Sequence, residues 1–152
     1  MGAPENKKLI HDAFRAWSGG DGAAFFNLLA DDVTWTVIGS TAVSRTYKSK
    51  KEFLEGAVRP LGEKIAGAIR PTLRDILVEG DKVALQWDGH AVGKNGTEYN
   101  QTYCWMMRIV DGKVREGTAY LDTELITRLW KWTAPSRDDF KAGPTQANHA
   151  TY

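Results

Sequence analysis

"YCWMMRIVDGKVREGTAYLDT", residues 103–123, reads as two antiparallel strands around a tight Asp111-Gly112 turn. An Asp-Gly pair supplies the backbone twist that a two-residue hairpin needs. Upstream, "TLRDILVEG" (72–80), "KVALQWDGHAV" (82–92) and "EYNQTYCWMMRIV" (98–110) are equally strand-like. Gly80-Asp81 and Gly93-Lys94-Asn95-Gly96 separate them with turn chemistry, so the C-terminal half is a four-strand meander.

The N-terminal half reads differently. Leu9, Ile10, Ala13, Phe14 and Trp17 recur at helical spacing across 5–18, and "GGD" (19–21) ends that helix. Asp21 is placed to cap a second helix, "GAAFFNLLADD" (22–32), and "VTWTVIG" (33–39) is a β-branched, aromatic strand. Ser49 and Glu52 form a capping box that opens a third helix, "SKKEFLEGAV" (49–58), interrupted near Pro60. "TELITRLWKW" (123–132) is a short amphipathic helix, with Asp122 at the position that caps it. Helices, a strand, a helix and an antiparallel meander make the chain α+β.

The chain has 152 residues, enough for one domain, placed here at 5–133. Residues 134–152 are a polar tail, either flexible or lying across a pocket or a partner subunit. A net charge of +1, without a cluster of cations interleaved with aromatics, argues against nucleic acid. The single cysteine, Cys104, allows no internal disulfide and suits a reducing compartment. The start "MGAPENKK" lacks the apolar stretch of a secretion signal, and no apolar run approaches membrane-spanning length. The expectation is a cytoplasmic protein without membrane contact. His11, His90 and His149 are scattered and no Gly-rich loop leads a strand into a helix, so neither a metal nor a nucleotide cofactor is expected.

"LLADDVTWTVIGS", "LQWDGHAVG" and "GTEYNQTYCWMMRIVDGKVREGTAYLDT" together resemble the SnoaL-like, ketosteroid isomerase-related branch of the nuclear transport factor 2-like superfamily. The likeness spans roughly residues 5–131. It implies a cone-shaped, curved, mostly antiparallel sheet with helices packed on its concave side. It also implies a deep pocket and a homodimer packed through the convex sheet face. Polyketide cyclases, ketosteroid isomerases, limonene-epoxide hydrolases and pure binding modules share that fold, so the site has to be argued residue by residue. In the cyclases and epoxide hydrolases a catalytic carboxylate stands where this chain has Ala119. The cyclases put a catalytic histidine at the position of Trp105, and the isomerases put their base at Val37. All three are replaced here.

The strand 82–92 allows two registers. Either Val83, Leu85 and Trp87 point inward, or Gln86, Asp88 and His90 do. Plain patterning favours the first. The resemblance favours the second, because epoxide hydrolases carry an arginine and an aspartate facing the pocket where this chain has Gln86 and Asp88. In that register Asp88 and His90 form an acid/base pair, with Tyr103 as the hydrogen-bond donor to a ligand oxygen. Trp35, Val37, Gln86, Gln101, Trp105 and Ala119 then line an aromatic-walled substrate pocket. The preferred expectation is a metal-independent enzyme of isomerase, cyclase, dehydratase or epoxide-opening type, acting on a small to mid-sized hydrophobic, oxygenated molecule. The alternative is a binding or accessory protein using the same pocket without chemistry. A third reading is an interaction protein whose cone is filled by side chains.

Overall fold

In the computed structural model, which describes residues 2–131, a six-stranded curved sheet wraps around an aromatic core. Helix α1 (Ala3–Ser18) comes first and buries Asn6, Ile10, Ala13 and Phe14, one stripe at helical spacing. Strand β1 (Leu29–Val37) and the two-residue β2 (Thr46–Tyr47) follow. Helix α2 (Lys50–Phe53) continues through a π-helical stretch, Leu54–Val58, into α3 (Arg59–Glu63). Strands β3 (Ile65–Glu79), β4 (Lys82–Gly93), β5 (Glu98–Val110) and β6 (Lys113–Leu121) form the meander, and α4 (Thr123–Trp130) closes the described chain. The sheet order is β2-β1-β6-β5-β4-β3; β1 runs parallel to β6 and every other pair is antiparallel.

The hairpin that decides the fold forms as read. Val110 pairs with Lys113 across two residues that both have positive φ, Asp111 at 51° and Gly112 at 76°. That is the twist a two-residue antiparallel connection needs. On β5, Tyr99, Gln101, Tyr103, Trp105, Met107 and Ile109 are all buried, while the intervening residues are half-buried or exposed. Gly117 on β6 is required by packing: a Cβ there would lie 2.2 Å from the Trp35 ring, its neighbour across the β1–β6 pairing.

Two boundaries differ from the sequence reading. Residues 22–32 do not form a helix; a turn and one 3-10 segment, Phe26–Leu28, lead directly into β1 at Leu29. Pairing of β1 with β6, beginning at Leu29 opposite Val114, overrides a helical preference too short to stand alone. Strand β3 begins at Ile65, with Pro71 inside it rather than before it. It is an edge strand, where a missing N–H is tolerated. The third helix is irregular near Pro60, as read: the π-helical stretch Leu54–Val58 ends just before it. Proline cannot donate to the carbonyl four residues back, that of Gly56; the Tyr47 hydroxyl, which donates to the Val43 carbonyl at 2.7 Å, lies 3.2 Å from it. The expected tail, 134–152, lies outside the described residues.

Candidate functional site

β4 adopts the apolar-in register. Val83, Leu85, Trp87 and Gly89 are buried, whereas Gln86 and His90 are exposed and Asp88 is half-buried on the outer face. The expected acid/base pair is therefore corrected. Asp88 accepts from Arg74 at 3.2 Å and from the Thr102 hydroxyl at 3.0 Å, while His90 Nδ1 lies 3.3 Å from the Asn100 side-chain oxygen. Each is bonded to the residues beside it on the outer face, and neither reaches the interior. The reason is packing: the inward alternative would turn Trp87 out of an aromatic cluster and bury a carboxylate in its place.

That cluster forms the wall of a cavity of about 250 Å³. Trp35 and Val37 (β1), Trp87 (β4), Tyr103 and Trp105 (β5) and Ala119 (β6) line it from the sheet. Phe26, Phe53, Leu61 and Ile126 close it from the connecting turns and helices. Trp87 stacks on Tyr103 with ring centroids 4.1 Å apart and planes 9° from parallel. Trp105 meets Trp35 at 90° and Trp87 at 74°. The indole nitrogens of Trp35, Trp87 and Trp105 are buried with no hydrogen-bond partner among the described residues. Edge-to-face contact is the geometry in which an N–H rests against a π cloud, a weaker substitute for an oxygen acceptor.

The opening lies at Gly22, Gly62, Gly67 and Ala68, the exposed members of the lining. A bulge shapes it. Ala66 pairs with Val92 and Arg70 with His90, so Gly67, Ala68 and Ile69 together oppose Ala91 alone. Gly89 accommodates that bulge, since a Cβ there would lie 2.9 Å from Ile69.

Among the described residues, no Asp, Glu, His, Lys, Arg, Ser, Thr or Cys lines the cavity. Tyr103 is the one hydroxyl-bearing residue of its wall, and burial pushes its pKa well above that of an ordinary phenol, so it stays protonated at neutral pH. Its oxygen lies 2.7 Å from that of Tyr99, which is itself fully buried. Gln101, expected at the pocket, turns elsewhere. Its Oε1 accepts from the Asp122 backbone N–H at 2.7 Å, and its Nε2 donates to the Asp122 carbonyl at 2.8 Å. Gln86 is likewise corrected to the exposed outer face. Asp122 is a helix cap, its Oδ1 accepting from Glu124 N–H at 3.0 Å.

Trp87 is one of several wall residues that the preferred sequence reading missed, and the alternation Val83, Leu85, Trp87 is the signal that finds it. No group of three or more His, Cys, Asp or Glu among the described residues is placed to hold a metal ion. No helix among them is long and apolar enough to cross a membrane.

A curved, unclosed α+β sheet with an apolar cavity on its concave side defines the nuclear transport factor 2-like class of fold. A family model described as "SnoaL-like domain" matches residues 10–117, and the chain belongs to that family. The fold is similar to that of an NTF2-like protein from Burkholderia thailandensis, with TM-score 0.69 and 23% identity, covering 85% of this chain and 98% of that one. A Xanthomonas campestris protein of unknown function with a cystatin-like fold has TM-score 0.68 and 22% identity, covering 81% and 95%. A Catenulispora acidiphila protein with a ketosteroid isomerase-like fold, solved in complex with trimethylamine, has TM-score 0.61 and 16% identity, covering 78% and 88%. No curated protein matches the sequence.

Proposed function

We propose that this protein binds a small, neutral, apolar molecule carrying a hydrogen-bond acceptor, and binds it without acid/base chemistry. The observation that carries this reading is the cavity wall: aromatic and aliphatic side chains, one phenolic hydroxyl, and no charge among the described residues. A charged ligand group would be stripped of water there with nothing to pair with. A cavity of roughly 150 Å³ admits benzene, so the volume of about 250 Å³ suits roughly ten non-hydrogen atoms. An isomerase-type reaction needs a proton acceptor beside the substrate, and the described wall carries no carboxylate or imidazole.

Trp17, Trp35, Trp87 and Trp105 all border the cavity, so ligand entry should change tryptophan emission. Titration with aryl ketones such as acetophenone is expected to quench it, and Ala119→Leu, which fills the wall, should weaken the effect at least tenfold. Quenching that is unaffected by Ala119→Leu, or turnover of a ketone in wild type, would sink the reading.

The proposal extends to a second copy of the chain on the outer sheet face. Leu77, Met106 and Tyr120 are 67%, 45% and 45% exposed. Ala84 bridges Leu77 to Met106 across the strands, and Cys104 stands opposite Tyr120. Beside this stripe the charges are already paired, Arg74 with Asp88 and Arg108 with Glu116, so the face offers little net repulsion to a copy of itself. Sedimentation should give a dimer for wild type and a monomer for Met106→Glu. A monomeric wild type would remove the dimer.

A further inference from the structure

The proposed ligand needs a donor, and whether Tyr103 can donate depends on where its hydroxyl proton points. Two hydroxyl protons are available to the Tyr99–Tyr103 pair and one lies between the oxygens, so the other must go elsewhere. The arrangement around Gln101 decides which. Its amide is oriented without ambiguity, because Oε1 takes the Asp122 N–H and Nε2 must then face the Asp122 carbonyl. The same Nε2 lies 3.4 Å from the Tyr99 oxygen and presents a donor to it.

Tyr99 thus already accepts from Gln101. If it also accepted from Tyr103, its own proton would be left without a partner in a residue that is 0% exposed. If Tyr99 instead donates to Tyr103, the unassigned proton belongs to Tyr103, which borders the cavity. The second arrangement leaves no buried donor orphaned once an acceptor sits in the cavity.

We propose that the Asp122 backbone, Gln101 and Tyr99 form a one-way hydrogen-bond relay that directs the Tyr103 hydroxyl proton into the cavity, so that the protein selects ligands by an acceptor oxygen such as a ketone's. This rests on the binding reading above and deepens it. Gln101 and Tyr99 are positioning residues that act through Tyr103. The relay starts at the junction of β6 and α4, where Gln101 grips both backbone polar groups of Asp122. The residue that orients the donor therefore also anchors the helix carrying Ile126 of the cavity wall.

The relay can be reversed by one atom. In Gln101→Glu the group facing Tyr99 is an oxygen in either protonation state, so Tyr99 donates to it and Tyr103 must donate to Tyr99. The experiment has two arms. In the first, the tyrosine hydroxyl protons are assigned by NMR in the unliganded full chain. The Tyr99 proton is expected in the inter-tyrosine bond and the Tyr103 proton outside it, moving when acetophenone is added. The opposite assignment overturns the relay.

In the second arm, acetophenone is compared with α-methylstyrene, which has the same shape without the oxygen. The ketone-to-hydrocarbon affinity ratio should fall about fivefold in Gln101→Glu, the size of one neutral hydrogen bond, with the hydrocarbon unaffected. An unchanged ratio overturns the relay. Tyr99→Phe guards against a misfolded Gln101→Glu: it leaves the Tyr103 proton free and should hold the ratio, whereas a rise would show that Tyr99 had been occupying that proton. If neither probe binds wild type, the binding reading fails, and the proton assignment still decides the relay.

Discussion

Along β4 the inner residues Val83, Leu85 and Trp87 are each about 1% exposed, packed among rings and aliphatic chains. One position away on the outer face, Gln86, Asp88 and His90 stand among polar neighbours, with Asp88 tied to Arg74 and Thr102, and His90 near Asn100. The cavity wall on the inner face has shape and one hydroxyl-bearing residue, Tyr103; the outer face has charge that is mutually paired. Charged and imidazole side chains are thus abundant on the side without a cavity, whereas the described wall that has one carries a single titratable side chain, the phenol of Tyr103. The residue types that suggest acid/base catalysis are present in this sheet, but the pleat keeps them out of the cavity. The proposed reading, binding without turnover, rests on this arrangement.

The sharpest way to break the comparison is at Trp87. It stacks on Tyr103, touches Phe14, Trp17 and Trp105 in tilted or edge-on geometry, and lines the cavity. Trp87→Ala should cost about 3–5 kcal/mol, the range for emptying a large aromatic site in a packed core. Urea unfolding followed by far-UV circular dichroism measures this. A loss under 1 kcal/mol would mean that β4 does not hold its aromatic face inward.

Gly117 probes the same face from the opposite direction, by adding rather than removing atoms. The Trp35 ring lies across it, and a Cβ would come within 2.2 Å of that ring. Gly117→Ala should therefore destabilise by about 1–3 kcal/mol through overpacking, and should reduce ketone binding by displacing Trp35 into the cavity. Full stability and unchanged binding in this variant would place Trp35 elsewhere.

Residues 72–121 were legible because strand alternation and turn chemistry agree there: Asp111-Gly112 adopts positive φ, and the burial of β5 follows every second residue. Residues 22–32 were not, because a short apolar run fits a helix turn or a strand equally well, and only pairing with β6 separates them. The face of β4 was open in the sequence because period-two patterning always yields two faces. The packing of Trp87 against Phe14, Trp17 and Tyr103, contributed by distant segments, decides between them. Trp35, Val37, Tyr103, Trp105 and Ala119 could be assigned to one wall by alternation and resemblance. The role of Gln101 could not, since it depends on the backbone of Asp122, 21 residues away, whose position no local pattern encodes.

The smallest expected effect tests the outer face, next to the residue with the largest. Asp88 is partly solvated, with its side chain 21% exposed and that of Arg74 53% exposed, so the pair is screened and contributes less than about 1 kcal/mol. Asp88→Asn removes the charge and keeps one oxygen, enough to accept from Thr102 or from Arg74 but not from each on a separate oxygen. Stability should therefore change by under about 1 kcal/mol, and acetophenone binding should not change. The two neighbouring substitutions then differ several-fold in effect although their Cα atoms are one residue apart, because the pleat sends one side chain into the wall and the other to the solvent side. If Asp88→Asn abolished binding or a ketone-directed activity, the outer face would be functional and the apolar cavity would be only a packing defect.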